Sequence, residues 1–309
     1  MPIPVLIDTD MGADDAVAIL LATASAVLDV RAIVGVGGCV RLEQVMQNVG
    51  RVLHALDPPS VPLIGRGLDQ TAPGLRDRRD VFGEDGLGGF DEPLLETMTP
   101  VDFRDAYCQA IEAADGELNV LAIGPMTNLA AVLAADGDVK RSIKHLYVAG
   151  GAVWSKGNVN EATEFNFYRD PSAARRVLDS GLPITVVPLD VTGLVCLDQS
   201  HVAHLAASDG KIAQIAARVL EHGLAFGGEP AAGKVFVHAA VAAGAMIWPE
   251  LFMRTKMRLD VTTAGKQGGR SQPALGGDKS KRVDLLTAVN AVDFLENLLE
   301  CLCRETFIV

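Results

Sequence analysis

The chain has 309 residues, of which 49% are apolar and only 5% aromatic, so it can bury a large aliphatic core without disulfides. Its formal net charge of −12 argues against nucleic acid as a partner, because binding phosphate requires a surface rich in lysine and arginine. The five cysteines form no paired framework, and Asp8 interrupts the N-terminal apolar stretch before it reaches the length of a signal or a membrane span. We therefore expect a cytoplasmic protein that contacts no membrane.

Short apolar runs alternate with longer helical patterns along the first two thirds of the chain. The runs are continuous and rich in valine and isoleucine, which is typical of strands buried on both faces of a parallel sheet. They lie at 3–8, 30–36, 118–124, 143–151 and 183–190, and the first two precede helical patterns at 13–24 and 42–56. Since strand–helix repeats build βαβ units, we predict an α/β fold. Its doubly wound, mostly parallel sheet carries helices on both faces, in one domain over residues 1–309.

The last third of the chain is more helical. Its apolar periodicity predicts helices over 199–208, 210–226 and 234–246, and a final helix over 287–303. A strand is predicted at 256–262, before a glycine-rich loop.

Four aspartates crowd the turn that leaves the first predicted strand, in "IDTDMGADDA" at 7–16. Asp14 and Asp15 suit the first turn of a helix, where carboxylates accept backbone N–H groups and favour the helix dipole. Capping does not explain Asp10, which lies two residues after Asp8. Like charges this close repel, and a hard divalent cation would neutralise them. Ligands of open parallel sheets bind beyond the carboxyl ends of the strands, where this cluster lies.

These residues resemble the D-T-D-x-G-x-D-D-A signature of the nucleoside hydrolases, the inosine/uridine-preferring type and its relatives. Six further blocks match the family in the same order along nearly the whole chain. They are "LEQVMQN" (42–48), "GEDGLGG" (83–89), "GPMTNLA" (124–130), "GNVNEATEFNFYRDPSAA" (157–174), "VPLDVT" (187–192) and "VHAAVA" (237–242). The resemblance implies an N-ribosyl hydrolase of purine or pyrimidine salvage, which cleaves a ribonucleoside to free base and ribose and assembles as a homodimer or homotetramer.

The resemblance also implies a calcium ion (Ca²⁺), held by Asp10, Asp15 and the backbone carbonyl of Thr127. Ribose hydroxyls would complete its coordination. Asp10 would act as the general base toward a calcium-bound water, because a carboxylate beside such a water can take its proton. Asp14 would bind ribose and position the water.

The remaining roles implied by the resemblance concern the sugar and the base. Asn158, Glu164 and Asn166 would hold the other sugar hydroxyls. His238 would face the leaving base and protonate it, since a histidine pKa lies near working pH. Taken without the resemblance, His238 in its Ala/Val-rich helix is typical of a core histidine. Likewise, Glu164 and Asn166 on either side of Phe165 are typical of a strand with polar outward positions.

The chain departs from the family pattern at three positions. Ala239 replaces the aspartate that usually follows the histidine, which removes one expected ligand of the cation; Asp190 is a candidate to replace it. Cys39 stands in place of an asparagine, as a reactive thiol or as a small residue of the pocket wall. Ala149 replaces a methionine that precedes the double glycine. These changes favour an alternative function, a weakly active or non-catalytic member that binds a ribosylated ligand.

An aspartate pair after a first strand also marks the phosphatases of the haloacid dehalogenase group. In that interpretation Asp8 is the nucleophile and Asp10 the acid. The group requires a downstream lysine and an acidic pair that holds Mg²⁺, and no convincing block of that kind is found in the sequence.

Overall fold

A computed structural model of the chain describes residues 1–69, 76–135, 137–226, 233–276 and 278–304. Its strands are β1 (Ile3–Thr9), β2 (Leu28–Gly35), β3 (Leu63–Arg66), β4 (Val101–Asp102), β5 (Leu118–Ala122), β6 (Ile143–Ala149), β7 (Ile184–Val187), β8 (Cys196–Asp198), β9 (Lys234–Phe236), β10 (Phe252–Met257), β11 (Leu259–Val261), β12 (Ser271–Pro273) and β13 (Val283–Val289).

The helices, numbered in chain order, are α1 (Ala13–Ala24), α2 (Leu42–Leu56), α3 (Arg79–Phe82), α4 (Phe103–Ala113), α5 (Thr127–Ala135), α6 (Gly137–Ser142), α7 (Phe165–Arg169), α8 (Pro171–Leu178), α9 (Leu189–Thr192), α10 (Gln199–Ala206), α11 (Lys211–Phe226), α12 (His238–Ile247) and α13 (Ala291–Leu302). None of these helices is both long and apolar enough to cross a bilayer.

The main sheet has the strand order β10-β13-β7-β6-β5-β1-β2-β3-β4. Its neighbours pair in parallel except at one edge, where β10 runs antiparallel to β13. Helices cover both faces, because the chain winds outward from β1 in two directions. The predicted α/β fold with a doubly wound, mostly parallel sheet is thus confirmed.

The core consists of two apolar layers, one on each face of this sheet. Alternate side chains of β1 enter different layers: Val5 and Ile7 pack with α1, α2, α11, α12 and α13, whereas Leu6 packs with α4, α5 and α8. This alternation also sets the direction of the polar residues that end the strand. Asp8, two residues after Leu6, therefore lies on the same face of the sheet and points toward α4 and α5.

The helices predicted over 13–24 and 42–56 are confirmed at those bounds. Two C-terminal predictions are wrong in part. Residues 287–289 belong to β13, and the last helix begins only at Ala291, where the Asn290 side chain accepts a hydrogen bond from the Asp293 N–H. Residues 234–236 likewise form β9 before α12 begins. In both places an apolar run continues from strand to helix, so its periodicity hides the boundary.

Candidate active site

A small cavity lies at the carboxyl ends of the central strands, the position of the ligand site in open parallel sheets. Eight segments meet there: those after β1, β2, β5, β6 and β7, those around α3 and α7, and the start of α12. The polar and charged lining residues are Asp10, Asp14, Asp15, Arg78, Asn158, Glu164, Asn166, Thr192 and His238. All the residues predicted from the sequence to bind or act on a ligand are in this set except Thr127.

The loop that leaves β1 is built to hold its carboxylates in place. Met11 is buried with φ of 51°, a left-handed conformation uncommon for a residue with a side chain. Its N–H donates to the Thr9 hydroxyl oxygen at 2.9 Å. This sharp turn carries the chain from β1 directly into α1, so that Asp10 and Asp15 come together at the base of the cavity.

Three aspartates of this loop are almost fully buried, with exposed fractions of 1% for Asp10, 7% for Asp14 and 2% for Asp15. Asp10 Oδ2 accepts a hydrogen bond from the Cys39 N–H at 2.6 Å, and Asp14 Oδ2 accepts one from the Ala239 N–H at 3.2 Å. Asp15 accepts from the Thr9 hydroxyl at 2.9 Å and from the Gly12 N–H at 3.1 Å. Capping thus accounts for Asp15, but Asp10 faces the cavity.

Asp8 has a different environment on the opposite face of the sheet. Its carboxylate accepts hydrogen bonds from the Tyr107 hydroxyl at 2.8 Å and from the Asn128 side-chain amide at 3.2 Å. It does not line the cavity, as far as the described residues define it. Asp8 therefore has a structural role, and the phosphatase interpretation, which needs it as an accessible nucleophile, finds no support.

Burial dominates the electrostatics of the acidic cluster. It raises the pKa of Asp10, raises that of Asp14 to about 6 and raises that of Asp15 well above 3.8. The charge of Asp10 raises the Asp14 and Asp15 pKa values further, and burial brings the pKa of Asp8 to about 7. Three buried carboxylates that repel one another form an acidic cluster that could hold a cation.

These pKa shifts predict how the stability of the metal-free protein depends on pH. A carboxyl whose pKa is raised on folding contributes stability below its unfolded pKa of 3.8, and loses it as pH rises through the folded value, about 6 for Asp14 and about 7 for Asp8. In EDTA we expect the free energy of unfolding to fall between pH 6.5 and 8.5, by about 1 kcal/mol from Asp8 alone. Urea denaturation at the two pH values measures this; an equal or higher stability at pH 8.5 contradicts it.

Asn158, Glu164 and Asn166 are brought together where the chain enters α7. Glu164 caps this helix: its carboxylate accepts hydrogen bonds from the N–H groups of Asn166 at 2.8 Å and Phe167 at 3.1 Å, and also from Gly151 at 2.9 Å. The Asn166 amide donates to the carbonyls of Ile123 and Ala149. The alternative of a strand with polar outward positions is therefore wrong, because Phe165–Arg169 is helical.

His238 is half-buried in the cavity wall and is not a core histidine. Its Nδ1 lies 2.8 Å from the Thr192 hydroxyl, and its ring stacks on Phe236 with centroids 5.5 Å apart. Burial, followed by the charge of Arg78, lowers the His238 pKa to about 4. The expectation of a pKa near working pH is therefore wrong for the free protein, in which the imidazole is neutral.

Thr127 begins α5, directly beyond β5, and its hydroxyl donates to Asp170 Oδ2 at 2.8 Å. It is buried and is not among the described residues that line the cavity. Asp190, the candidate replacement ligand, is engaged elsewhere. Its carboxylate accepts the N–H groups of Val153, Trp154 and Ser155 at 2.7–2.8 Å and so fixes the loop after β6.

Cys39 lies in the cavity wall, with its Sγ near Asp10 and Asp15. One ligand atom of each of the three residues lies within 4.8 Å of the others, which makes them the acidic cluster best placed for a metal among the residues described. Burial and the three neighbouring aspartates raise the Cys39 pKa well above 9.0. The thiol stays protonated, so the interpretation as a wall residue is favoured over a reactive cysteine.

Arg78 is the cavity residue that sequence reasoning missed. Its Nη1 donates to the Asn158 carbonyl oxygen at 3.1 Å, and its Cζ lies 5.6 Å from the centroid of the Phe165 ring and 5.9 Å from that of Phe82. The sequence signal is the arginine-rich stretch "RDRRD" at 76–80 in an acidic chain. An arginine-rich stretch of this kind is more typical of a solvent-exposed surface than of a binding or catalytic site.

Comparison with known proteins gives one consistent result. The family model described as inosine-uridine preferring nucleoside hydrolase matches residues 5–296. A pyrimidine-specific ribonucleoside hydrolase of Citrobacter koseri is 32% identical to the chain over 278 residues, which cover 86% of each protein. The corresponding enzyme of Escherichia coli (strain K12) is also 32% identical, over 275 residues and 86% of each protein.

Solved structures agree with the sequence relatives. A plant nucleoside hydrolase superposes with a TM-score of 0.91 at 27% identity, covering 98% of this chain and 99% of the plant enzyme. An inosine-guanosine nucleoside hydrolase gives 0.84 at 26% identity, with 98% of each chain covered. The purine-preferring ribonucleoside hydrolase of Gardnerella vaginalis, at 24% identity and a TM-score of 0.89, shares the fold.

Proposed function

The chain belongs to the family of inosine-uridine preferring nucleoside hydrolases, and from this premise we propose how its own residues hydrolyse a ribonucleoside. Asp10 and His238 are the catalytic residues, and Asp14, Asn158, Glu164 and Asn166 bind the ribose. The observation that carries the proposal is that one cavity collects all six from three separate segments of the chain. Carboxylates and amides surround the space where a pentose would lie, and a histidine stands at its rim.

The reaction breaks the bond between C1′ and the base nitrogen through a sugar with oxocarbenium character, as in the hydrolysis of O-glycosides. Asp10 takes a proton from the attacking water. Asp14 and Glu164 stabilise the positive charge of the sugar. His238 uses Nδ1 on Thr192, so Nε2 is the ring nitrogen that meets the leaving base.

We infer that the cation of this site is Ca²⁺, held by Asp10, Asp15 and, as the family resemblance implies, the Thr127 carbonyl. Two buried carboxylates that converge on one point fit a hard divalent ion, whereas the protonated thiol of Cys39 adds no hard ligand. When bound, such a cation acidifies water and binds the vicinal hydroxyls of a pentose.

Restoring a carboxylate at position 239 is expected to tighten calcium binding. Ala239 lines the cavity and is buried beside Asp14, so Ala239→Asp adds a negative charge to the wall of the proposed calcium site. We expect a dissociation constant lower by roughly 10-fold in calorimetric titration, because the affinity of calcium sites follows their ligand charge. Ala239→Asn is the uncharged control of the same size. An equal change in both variants, or none in either, contradicts the calcium site proposed here.

The assay for the function is release of reducing sugar from uridine, cytidine, inosine and adenosine, with calcium or with EDTA. We expect sugar from at least one of these, and less in EDTA. Cys39 and Ala239 in the cavity wall favour a second candidate, a protein that binds a ribosylated ligand without turnover. A nucleoside that raises the melting temperature while no sugar appears supports this candidate.

The family resemblance further supports a homodimer or homotetramer in the cytoplasm, in a salvage role. Sedimentation equilibrium of the purified chain tests the oligomeric state, and a monomer at micromolar concentration contradicts it.

A further inference from the structure

The cavity of the aspartates continues outward into a second, wider pocket. Five residues line both spaces and so form the junction between them: Arg78, Phe82, Asn158, Leu189 and His238. The inner space carries Asp10, Asp14, Asp15 and Glu164, whereas the outer pocket is lined by the apolar Val235, Phe236 and Leu194 together with charged residues of both signs, among them Arg76, Asp80, Lys156, Asp190 and Lys234. A nucleoside with its sugar among the carboxylates must place its base at or beyond this junction. Arg78 is the one formally charged residue among the five.

Arg78 is held at the junction by a backbone carbonyl and two aromatic rings, while its charge acts on the Asp14 and Glu164 carboxylates and opposes the burial that raises their pKa values. Its Nη1 donates to a backbone carbonyl, that of Asn158, and its guanidinium lies against the rings of Phe82 and Phe165. Within the part of the chain that the structure describes, no ion pair of Arg78 is found. Its neighbours differ, since Arg76 pairs with Asp80, and Arg79 pairs with Asp77 and Glu84.

His238, at the same junction, supplies no positive charge. Its ring is neutral in the free protein, and Nδ1 is engaged by Thr192. A neutral imidazole donates from Nε2 only when Nδ1 accepts a hydrogen bond from the Thr192 hydroxyl, and in either tautomer it does not attract an anion as a guanidinium does. The junction therefore pairs a weak proton donor with a permanent cation.

We propose that Arg78 binds the leaving base and stabilises the negative charge that the base gains as the glycosidic bond breaks. This inference rests on the proposed function. As the bond from C1′ to the base nitrogen breaks, its electron pair remains on the base. The water oxygen bonds to C1′, one water proton passes to Asp10 and from there to solvent, and the base anion takes one proton from solvent once the bond has broken. The guanidinium gives up no proton, so it acts through charge and N–H donation alone.

This role favours bases with a carbonyl oxygen beside the glycosidic nitrogen, as in uracil. That oxygen shares the developing charge and accepts N–H donors, and a guanidinium presents two such donors in one plane.

The test compares a poor and a good leaving group. Arg78→Met keeps an aliphatic side chain against the two phenylalanine rings and removes the charge. We expect it to lower kcat/KM roughly 10²-fold for uridine, the loss typical of removing one donor to a developing anion. For 4-nitrophenyl β-D-ribofuranoside, whose phenolate needs no such help, we expect less than about a 5-fold loss, since only the group that departs differs. Arg78→Lys retains a charge and should recover part of the uridine rate.

Arg79→Met is the matched control, because this exposed arginine pairs with surface carboxylates and lines neither space. It should leave both rates unchanged. Equal losses with both substrates in Arg78→Met, whether from a sugar contact or from misfolding, overturn the proposal, as does full uridine activity. If the unaltered chain releases sugar from neither substrate in calcium, it is the proposed function that fails, and the assignment of Arg78 falls with it.

Discussion

Asp10→Asn is expected to lower ribose release by roughly 10³-fold or more, because it removes the base that takes the proton of the attacking water. The same change should leave the fold intact or stabilise it. Asp10 is buried, and its charge raises the pKa values of Asp14 and Asp15. An amide of the same shape relieves that repulsion while its oxygen can still accept the Cys39 N–H. Loss of activity with unchanged or higher stability is the signature of a functional residue that strains the fold.

The measurement combines steady-state assays of reducing sugar with thermal unfolding in EDTA. Asp29→Asn is the control, because Asp29 lies near the opposite end of β2 and pairs with Arg31 on the surface. Asp29→Asn should change neither the rate of sugar release nor the melting temperature. Asp10→Asn with near-normal turnover would remove Asp10 from the mechanism. A fall in melting temperature large enough to unfold the variant at the assay temperature would instead give Asp10 a structural role.

The central fold was predictable because its signals are local. The strands that became β1, β2, β5, β6 and β7 are mostly apolar and rich in valine, isoleucine and leucine, and α1 and α2 begin after short loops that leave β1 and β2. The strands toward the two edges of the sheet were harder to predict. β4 has only two residues, and β13 joins the sheet between β7 and β10 through contacts far apart in sequence. A single polar residue, the capping Asn290, separates the apolar run of β13 from that of α13.

The residues of the candidate site likewise fall into two groups, those that a local sequence pattern predicts and those that only the fold brings together. The aspartate turn is visible in the sequence because four like charges follow a buried strand, which needs an explanation beyond solubility. Arg78 has no such signal, since only the fold turns one arginine of a charged stretch inward while its neighbours Arg76 and Arg79 pair on the surface. The pKa of His238 could not be predicted either, because its burial and the charge of Arg78 come from segments about 160 residues apart in the chain.

Glu164→Ala is expected to lower the free energy of unfolding by about 3 kcal/mol or more, since it leaves three backbone N–H groups without their acceptor. Those groups belong to Gly151, Asn166 and Phe167, so one carboxylate fixes both the loop after β6 and the start of α7. Loosening α7 also displaces Asn166, and ribose release should fall with stability. Glu164→Gln keeps one acceptor oxygen but turns an NH₂ group toward N–H donors, and should lose about half as much stability.

Urea unfolding and the KM for the nucleoside together separate the two roles of Glu164. Glu161→Ala serves as the control, because this exposed residue of the same loop pairs with Lys156 on the surface and should change stability by less than about 0.5 kcal/mol. If Glu164→Gln retains most of its stability but its KM rises sharply, the carboxylate contacts the sugar as well as the backbone. If both variants lose stability while the folded fraction keeps a normal KM, Glu164 only holds the loop and the helix. A Glu164→Ala variant as stable as the unaltered chain contradicts the capping role itself.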